Sequence, residues 1–545
     1  MPWGGLDLIQ TIDGQDVSNI GYFDKPGADL DNLPLRIRFN DLRARGKGVS
    51  LGEYGVKVHP AWSVENGAQN YHIARNSEQQ IQLFMTVAHY GLGLGACKVQ
   101  NWCLRDAQAS VFPWGIFYPN QLIPKDVAYV HRNLSFVWRH FTPRYIPAKL
   151  TVCVPNQLRL GNYEAVGRGV AEHAFATLLG LHYDFNVIDD AHLERLPAAT
   201  RVIIYPAPFA VADDAYARLV AWVKEGGTLL VTGDISYDEH RQRTRTGRLE
   251  ELAGARFVAE NYANIARPAA TGKPATFTLP TLPPRSVQPC IKLRAVGAEV
   301  LGQTAGGDPV LVRNAVGRGH VYLFLDPIEL AAGDQAAGTR RCLYRAFLQA
   351  ATAAPLGVEP DEPWLHVMTQ PTARGTVYVV VNCKQTAGRE EVTLRTAAGP
   401  LTLATRNRWP ALAAVTDAGK VVAVNAFGTA AIGASPVLRG TGLKAILALD
   451  GNDLRRSQAI VVAPFERGTL EIPARLGKYV AVVGEFRGGR WTPLEQIDLA
   501  EQPGSLAIDP DRATTLILLC EPGQQSRWAG QLTDTVLHPS RIHGY

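Results

Sequence analysis

The chain has 545 residues, of which 46% are apolar and 19% charged, with a formal net charge of +5. That length exceeds what one hydrophobic core supports and predicts three or four domains, while the composition excludes a disordered chain. The mild charge, with no long Lys/Arg run, gives no footing for nucleic acid or an anionic membrane.

Apolar runs stay well short of the roughly 18 residues a membrane span needs. The opening MPWGGLDLIQTIDGQD lacks a basic region followed by an apolar one, so no secretory signal is expected in it. The seven cysteines are scattered, odd in number and without zinc spacing, which fits a reducing, cytoplasmic compartment. No metal or cofactor is called for.

Taken in chain order, Leu6 to Thr11 (LDLIQT) reads as a buried strand. Leu35 to Arg45 has helical spacing, with Leu35, Ile37, Phe39 and Leu42 on one face. GKGVSLGE is a second strand. SEQQIQLFMTVAHYG is a helix with Ser77 as N-cap, Gln80 at the capping-box position and Gly91 as C-cap. ACKVQNW is a third strand, and LIPKDVAYVHRNLSFVWRHF a helix with Pro124 near its first turn. Strands separated by helices imply parallel βα units over residues 1–145.

Residues 146–355 repeat strand and helix in the rhythm of an open, doubly wound sheet, through LTVCVP, RVIIYP and TLLVTGD. The Pro- and Thr-rich segment of about residues 255–290 reads as an excursion from it. GDPVLVRNAVGRGHVYLFLD then reads as a hairpin-like pair. After Pro355 short β-branched runs replace helical periodicity. They predict antiparallel β-sandwich structure, divided here into domains 356–450 and 451–545, with a polar arm from Gly523.

Chemistry in a barrel of parallel strands sits just past the strand C-termini. The first strand end offers Gln10, Asp13 and Asp16; the second Glu53, Tyr54, Lys57 and His59; the third Gln100, Asn101, Trp102, Arg105 and Asp106. A carboxylate, an indole and an Asn/Arg/Asp set at one mouth suit a sugar: the aromatic stacks on the ring and the polar groups fix hydroxyls. Each has a plainer reading. Glu53 is then a turn residue, Trp102 core, Arg105 and Asp106 a mutual ion pair, His59 a loop histidine and Asp13 a cap.

Two other patterns fail. GLGLGA lies after a helix and before a strand, the reverse of the order a dinucleotide fingerprint requires. Glutamine amidotransferase chemistry needs a nucleophilic Cys on a tight turn after a strand, and RVIIYP leads into APFAVADD without one.

SLGEYG and KVQNWCLRD, followed by a helix and the doubly wound unit, resemble the second half of a β-galactosidase of glycoside hydrolase family 42. LVAWVKEGGTLLVTGD strengthens the likeness. The resemblance implies part of a TIM-barrel catalytic domain (strands six to eight), a flavodoxin-like domain that mediates trimers, and a C-terminal β domain. It makes Glu53 the nucleophile at the end of strand seven and Trp102 the strand-eight aromatic of the sugar subsite. Asn101, Arg105, Asp106 and Asp13 would then line the substrate.

The departure from the pattern is sharp. LDLIQT matches strand six, so strands one to five are absent, and with them the Asn-Glu pair that carries the acid/base. The acid/base therefore stays unassigned. Three parallel strands do not close a barrel and leave two open edges. A second polypeptide completing the barrel, a truncated reading frame and evolutionary decay each explain this. Three functional readings follow. One is a retaining glycosidase needing a separate or missing N-terminal half. The second is a non-catalytic carbohydrate-binding or scaffold protein. The third is a complete enzyme in which Asp13, Asp16 or Asp106 replaces the acid/base.

Overall fold

The computed structural model describes residues 16–23, 30–56, 75–106, 114–119, 123–159, 164–261, 272–384, 388–487, 490–501, 504–508 and 515–532. The first elements are β1 (Val17–Phe23), α1 (Leu33–Phe39), β2 (Gly48–Gly55), α2 (Ser77–Gly93), β3 (Val99–Asn101) and α3 (Asp126–Trp138). Next come β4 (Leu150–Val154), α4 (Glu164–Gly180), β5 (Asn186–Asp189), β6 (Val202–Tyr205), α5 (Asp213–Lys224) and β7 (Thr228–Thr232). The strand expected at Leu6 to Thr11 lies outside the described residues; β1 was not anticipated.

The chain divides into two compact units. One holds Met1–Ile20, Leu35–Val49 and Ile146–Pro355; the other holds Gly21–Pro34, Ser50–Tyr145 and Leu356–Tyr545. The expected domain 1–145 is therefore shared between them.

In the first unit, β5, β4, β6, β7 and the strand Gly319–Phe324 lie side by side and parallel. Numbered along the chain, their order is 2-1-3-4-5, a doubly wound arrangement. Alternation along each strand feeds two cores. Val152, Val154, Val187, Ile204 and Leu230 pack on one side with Phe175 and Leu178 of α4. Cys153, Ile188, Ile203, Leu229 and Val231 pack on the other with Leu219 and Val223 of α5. The supposed excursion is partly strand. Lys273–Phe277 and Arg285–Val287 extend the same sheet, which satisfies backbone groups that the Pro- and Thr-rich composition led us to leave in a loop.

In the second unit the expected boundary at residue 450 does not exist. Leu443–Ala448 and Ala459–Pro464 are paired neighbours within a nine-stranded antiparallel sheet of the described residues. One core runs from Val358 to Leu519. Dividing the chain there would strip a hydrogen-bonded ladder, so the short strands form one body.

That sheet also carries α2 and α3. Gly93 abuts Val379, Thr86 Oγ1 donates to the Arg408 carbonyl (2.7 Å), and Asn133 Nδ2 donates to the Pro464 carbonyl (3.0 Å). Tyr90 joins His366 Nδ1 (2.8 Å) and Cys383 Sγ (3.2 Å). The reason is compositional: α2 is apolar on nearly every side, and such a helix is buried rather than displayed. The cap of α2 is Asn76 with Gln79, one residue earlier than expected, and the helix runs to Gly93. Among the described residues no helix is long and apolar enough to cross a membrane. None of the seven cysteines forms a disulfide.

Candidate active site

β2 lies between β1 and β3, and it runs parallel to β3. Leu51 pairs with Val99 and Tyr54 with Asn101, so three residues of β2 span two of β3. Such a bulge re-aims side chains. Here Leu51 and Val99 meet α2 at Gly91, and the Tyr54 ring meets Phe84 of α2 at 5.2 Å. Glu53 lies within this irregular stretch, directly before Tyr54.

Glu53 is only 8% exposed. Among the described residues its carboxylate has no hydrogen-bond or ion-pair partner, and burial raises its pKa above the usual 4.5.

Trp102 follows β3 directly; its N–H donates to the Tyr54 carbonyl (2.7 Å). It is 41% exposed, so it is not the core residue of the plainer reading. A Cβ on Gly55 would come within 2.7 Å of the Trp102 carbonyl oxygen and 2.9 Å of the Trp114 ring, so glycine is what lets the strand ends approach. Glu53 and Trp102 thus stand at the ends of adjacent strands.

The other expected residues are placed differently. Asn101 Nδ2 donates to the Cys103 carbonyl (2.9 Å), which shapes the strand end. Arg105 is exposed and does not pair with Asp106. Asp106 is buried instead against Lys125 (2.9 Å) and also accepts the Gly115 N–H (2.8 Å). Its burial raises its pKa, against the opposing pull of Lys125. Asp16 is exposed and belongs to the first unit. Asp13, Gln10, Lys57 and His59 lie outside the described residues.

Lys125 and Trp114 were not singled out from the sequence. Both come from the stretch after Asp106, where no periodicity marks a partner; the WG pair at Trp114–Gly115 was the available signal. Among the described residues no group of three or more His, Cys, Asp or Glu is placed to hold a metal ion. In the first unit, the turn after β6 puts Ala207 in left-handed backbone (φ +40) with its N–H on Thr232 Oγ1. A methyl group, not a nucleophile, occupies that sharp turn.

No protein-family model matches the sequence, and no curated protein matches it. The fold, however, is similar to solved β-galactosidases. The enzyme from Bacillus circulans sp. alkalophilus matches with a TM-score of 0.57 at 17% identity, over 74% of this chain and 61% of that one. That from Rahnella sp. R3 matches at 0.56 and 14% identity, over 75% and 61%. A catalytic mutant of Gan42B, a GH42 β-galactosidase from G. stearothermophilus, matches at 0.53 and 15%, over 74% and 61%. The chain has the multidomain α/β plus β architecture of these glycosidases and spans about 61% of their length.

Proposed function

We propose that this chain is the C-terminal portion of a retaining, β-galactosidase-like glycoside hydrolase that removes terminal sugars from oligosaccharides or glycosides. The observation that carries the reading is Glu53: a buried carboxylate near the end of a parallel strand whose neighbour leads directly into the exposed Trp102. β2 and β3 are read as barrel strands seven and eight, the expected strand six at Leu6 to Thr11 lying outside the described residues, and residues 146–355 as a flavodoxin-like domain, a reading supported by the 2-1-3-4-5 order.

In double displacement, Glu53 attacks the anomeric carbon, the glycosidic bond breaks, and water later hydrolyses the glycosyl ester. A second carboxylate about 5–5.5 Å away must protonate the leaving oxygen and then activate the water. Asp106 is a poor candidate, because Lys125 and Gly115 already hold it. On this reading the acid/base comes from a separate polypeptide or a missing segment that supplies the remaining barrel strands. Co-expression with such a polypeptide is the test: turnover of p-nitrophenyl-galactoside supports the reading, and failure on every aryl glycoside leaves the non-catalytic carbohydrate-binding reading in its place.

Two further outcomes are expected. Since a nucleophile acts only when ionised and burial raises the Glu53 pKa, the acidic limb of kcat/KM should lie above pH 4.5, with the rate falling as pH drops through it. A pH-rate profile checks this. The flavodoxin-like unit is proposed to assemble three chains, so light scattering should give three times the 59.2 kDa chain mass, plus any partner.

A further inference from the structure

A cavity of about 630 Å³ opens in the first unit, within the range of roughly 300–1,000 Å³ that small-ligand sites occupy. It sits where β6 and β7 begin. Arg201 directly precedes β6, Gly227 directly precedes β7, and the Thr228 N–H donates to the Arg201 carbonyl (3.0 Å). Doubly wound sheets bind their ligands at the opposite edge, past the strand C-termini. This cavity is therefore not the crevice that the fold itself provides.

One wall is the indole of Trp222 on α5, and the glycines that follow the helix fix its placement. Gly226 has φ +117, a left-handed conformation that turns the chain back onto the helix end, and the Gly227 N–H donates to the Trp222 carbonyl (3.3 Å). A Cβ on Gly227 would lie 2.5 Å from each of Cε3, Cζ3 and Cη2 of the indole. A point equidistant from three successive atoms of a hexagon lies on its axis, so Gly227 sits flat on one face of the six-membered ring. Only glycine permits that approach. Trp222 is half-buried and lines the cavity, so it offers the cavity the opposite face and the edge of the ring.

Polar groups of both kinds line the same cavity. Arg201 Nη1 donates to the carbonyls of Ala198 (2.9 Å) and Thr200 (2.8 Å), which holds its guanidinium at the rim. Arg218 lies one helical turn before Trp222 and so on the same flank of α5. Glu225 follows the helix end. Among the described residues the side chains of Arg218 and Glu225 form no hydrogen bond or ion pair, although both line the cavity. Guanidinium donors together with a carboxylate acceptor suit hydroxyl groups, which both donate and accept. They suit an oxyanion less well, because Glu225 would repel it. A flat ring beside such groups matches the C–H face of a pyranose.

We propose that this cavity binds an oligosaccharide, with Trp222 as the stacking platform and Arg201, Arg218 and Glu225 as partners for its hydroxyls. Its role is to hold a sugar chain on the protein, without hydrolysis. The inference goes beyond the proposed hydrolysis and does not rest on Glu53.

Calorimetric titration of the full chain with β-1,4-linked galactotetraose and with cellotetraose tests it. At least one tetraose should bind the parent, and Glu53→Gln should bind it equally. Trp222→Ala should weaken it at least about tenfold, about 1.4 kcal/mol. Trp222→Phe keeps an aromatic face on Gly227 and should recover part of the affinity. Trp222 also packs on the core behind the cavity, so Arg218→Ala and Glu225→Ala serve as second variants. Both side chains are exposed, and these variants should melt with the parent yet bind less tightly. Absence of heat from both tetraoses, or unchanged affinity in Trp222→Ala, overturns the proposal. So does loss of affinity in Glu53→Gln but not in Trp222→Ala, which would place the sugar at the other site. A changed light-scattering mass of Trp222→Ala would make the cavity an interface between copies and overturn it as well.

Discussion

Glu53→Gln is expected to abolish aryl-galactoside hydrolysis by the assembled enzyme, with kcat/KM falling on the order of 10⁴-fold or more, the scale of losing a nucleophile that acts as one unit with its partner. The substitution keeps the shape of the side chain and removes the one atom set that forms the glycosyl ester. Most of the loss should appear in kcat if, as proposed, Trp102 is a sugar platform that the substitution leaves in place. A fluorinated slow substrate should label the parent at Glu53, detected by peptide mass, and leave the variant unlabelled. Retention of a tenth or more of parental kcat/KM would sink the assignment.

The same substitution should not unfold the protein. Burial raises the folded-state pKa of Glu53 above its unfolded value, so the folded chain holds that proton more tightly. The contribution to stability is then fully present below the unfolded pKa and lost as pH rises through the folded one. At pH 7 the ionised carboxylate is a cost, and Glu53→Gln should melt no lower than the parent. Functional carboxylates held in dry surroundings show this trade between stability and reactivity.

Lys125→Met is the second large effect, and it acts on stability. Lys125 and Asp106 are both buried, their charged atoms lie 2.9 Å apart, and Asp106 also holds the Gly115 N–H. Removing the ammonium strands a buried carboxylate, which costs about 3–5 kcal/mol. Urea unfolding of the second unit's transition should report it. Adding Asp106→Leu removes the stranded charge and should recover most of the loss, because the pair as a whole is worth far less than either half alone. A single-variant loss below about 1 kcal/mol would show that water reaches the pair. The pair ties the segment after Trp102 to the start of α3, so its loss should also loosen that segment.

Much of the candidate site was legible one residue at a time. A buried run ending in Glu53, and a second strand ending in Trp102, follow from hydrophobic pattern and strand-end position, and the structure puts the two strands in parallel register. Asp106 was misplaced because its partner lies 19 residues on, in a stretch with no periodicity. Lys125 gave no local signal for a buried lysine, a residue type that is mostly exposed. The domain plan failed at residue 450 for a related reason: strand pairing across Ala448 and Ile460 is a property of the whole sheet, and short β-branched runs do not state which neighbour they choose.

Local rules therefore determined many of the helices and strands and where strand ends place polar groups such as Glu53 and Trp102. Tertiary structure alone decided the rest. It covered α2 with the C-terminal sheet, turned Asp106 inward onto Lys125, and brought Arg201 and Trp222 to one cavity. The physical reason is separation along the chain. Periodicity records how one residue relates to the next few, whereas burial and ion pairing depend on segments from 19 residues apart, as for Asp106 and Lys125, to hundreds, as for Asn133 and Pro464, that only the folded chain brings together.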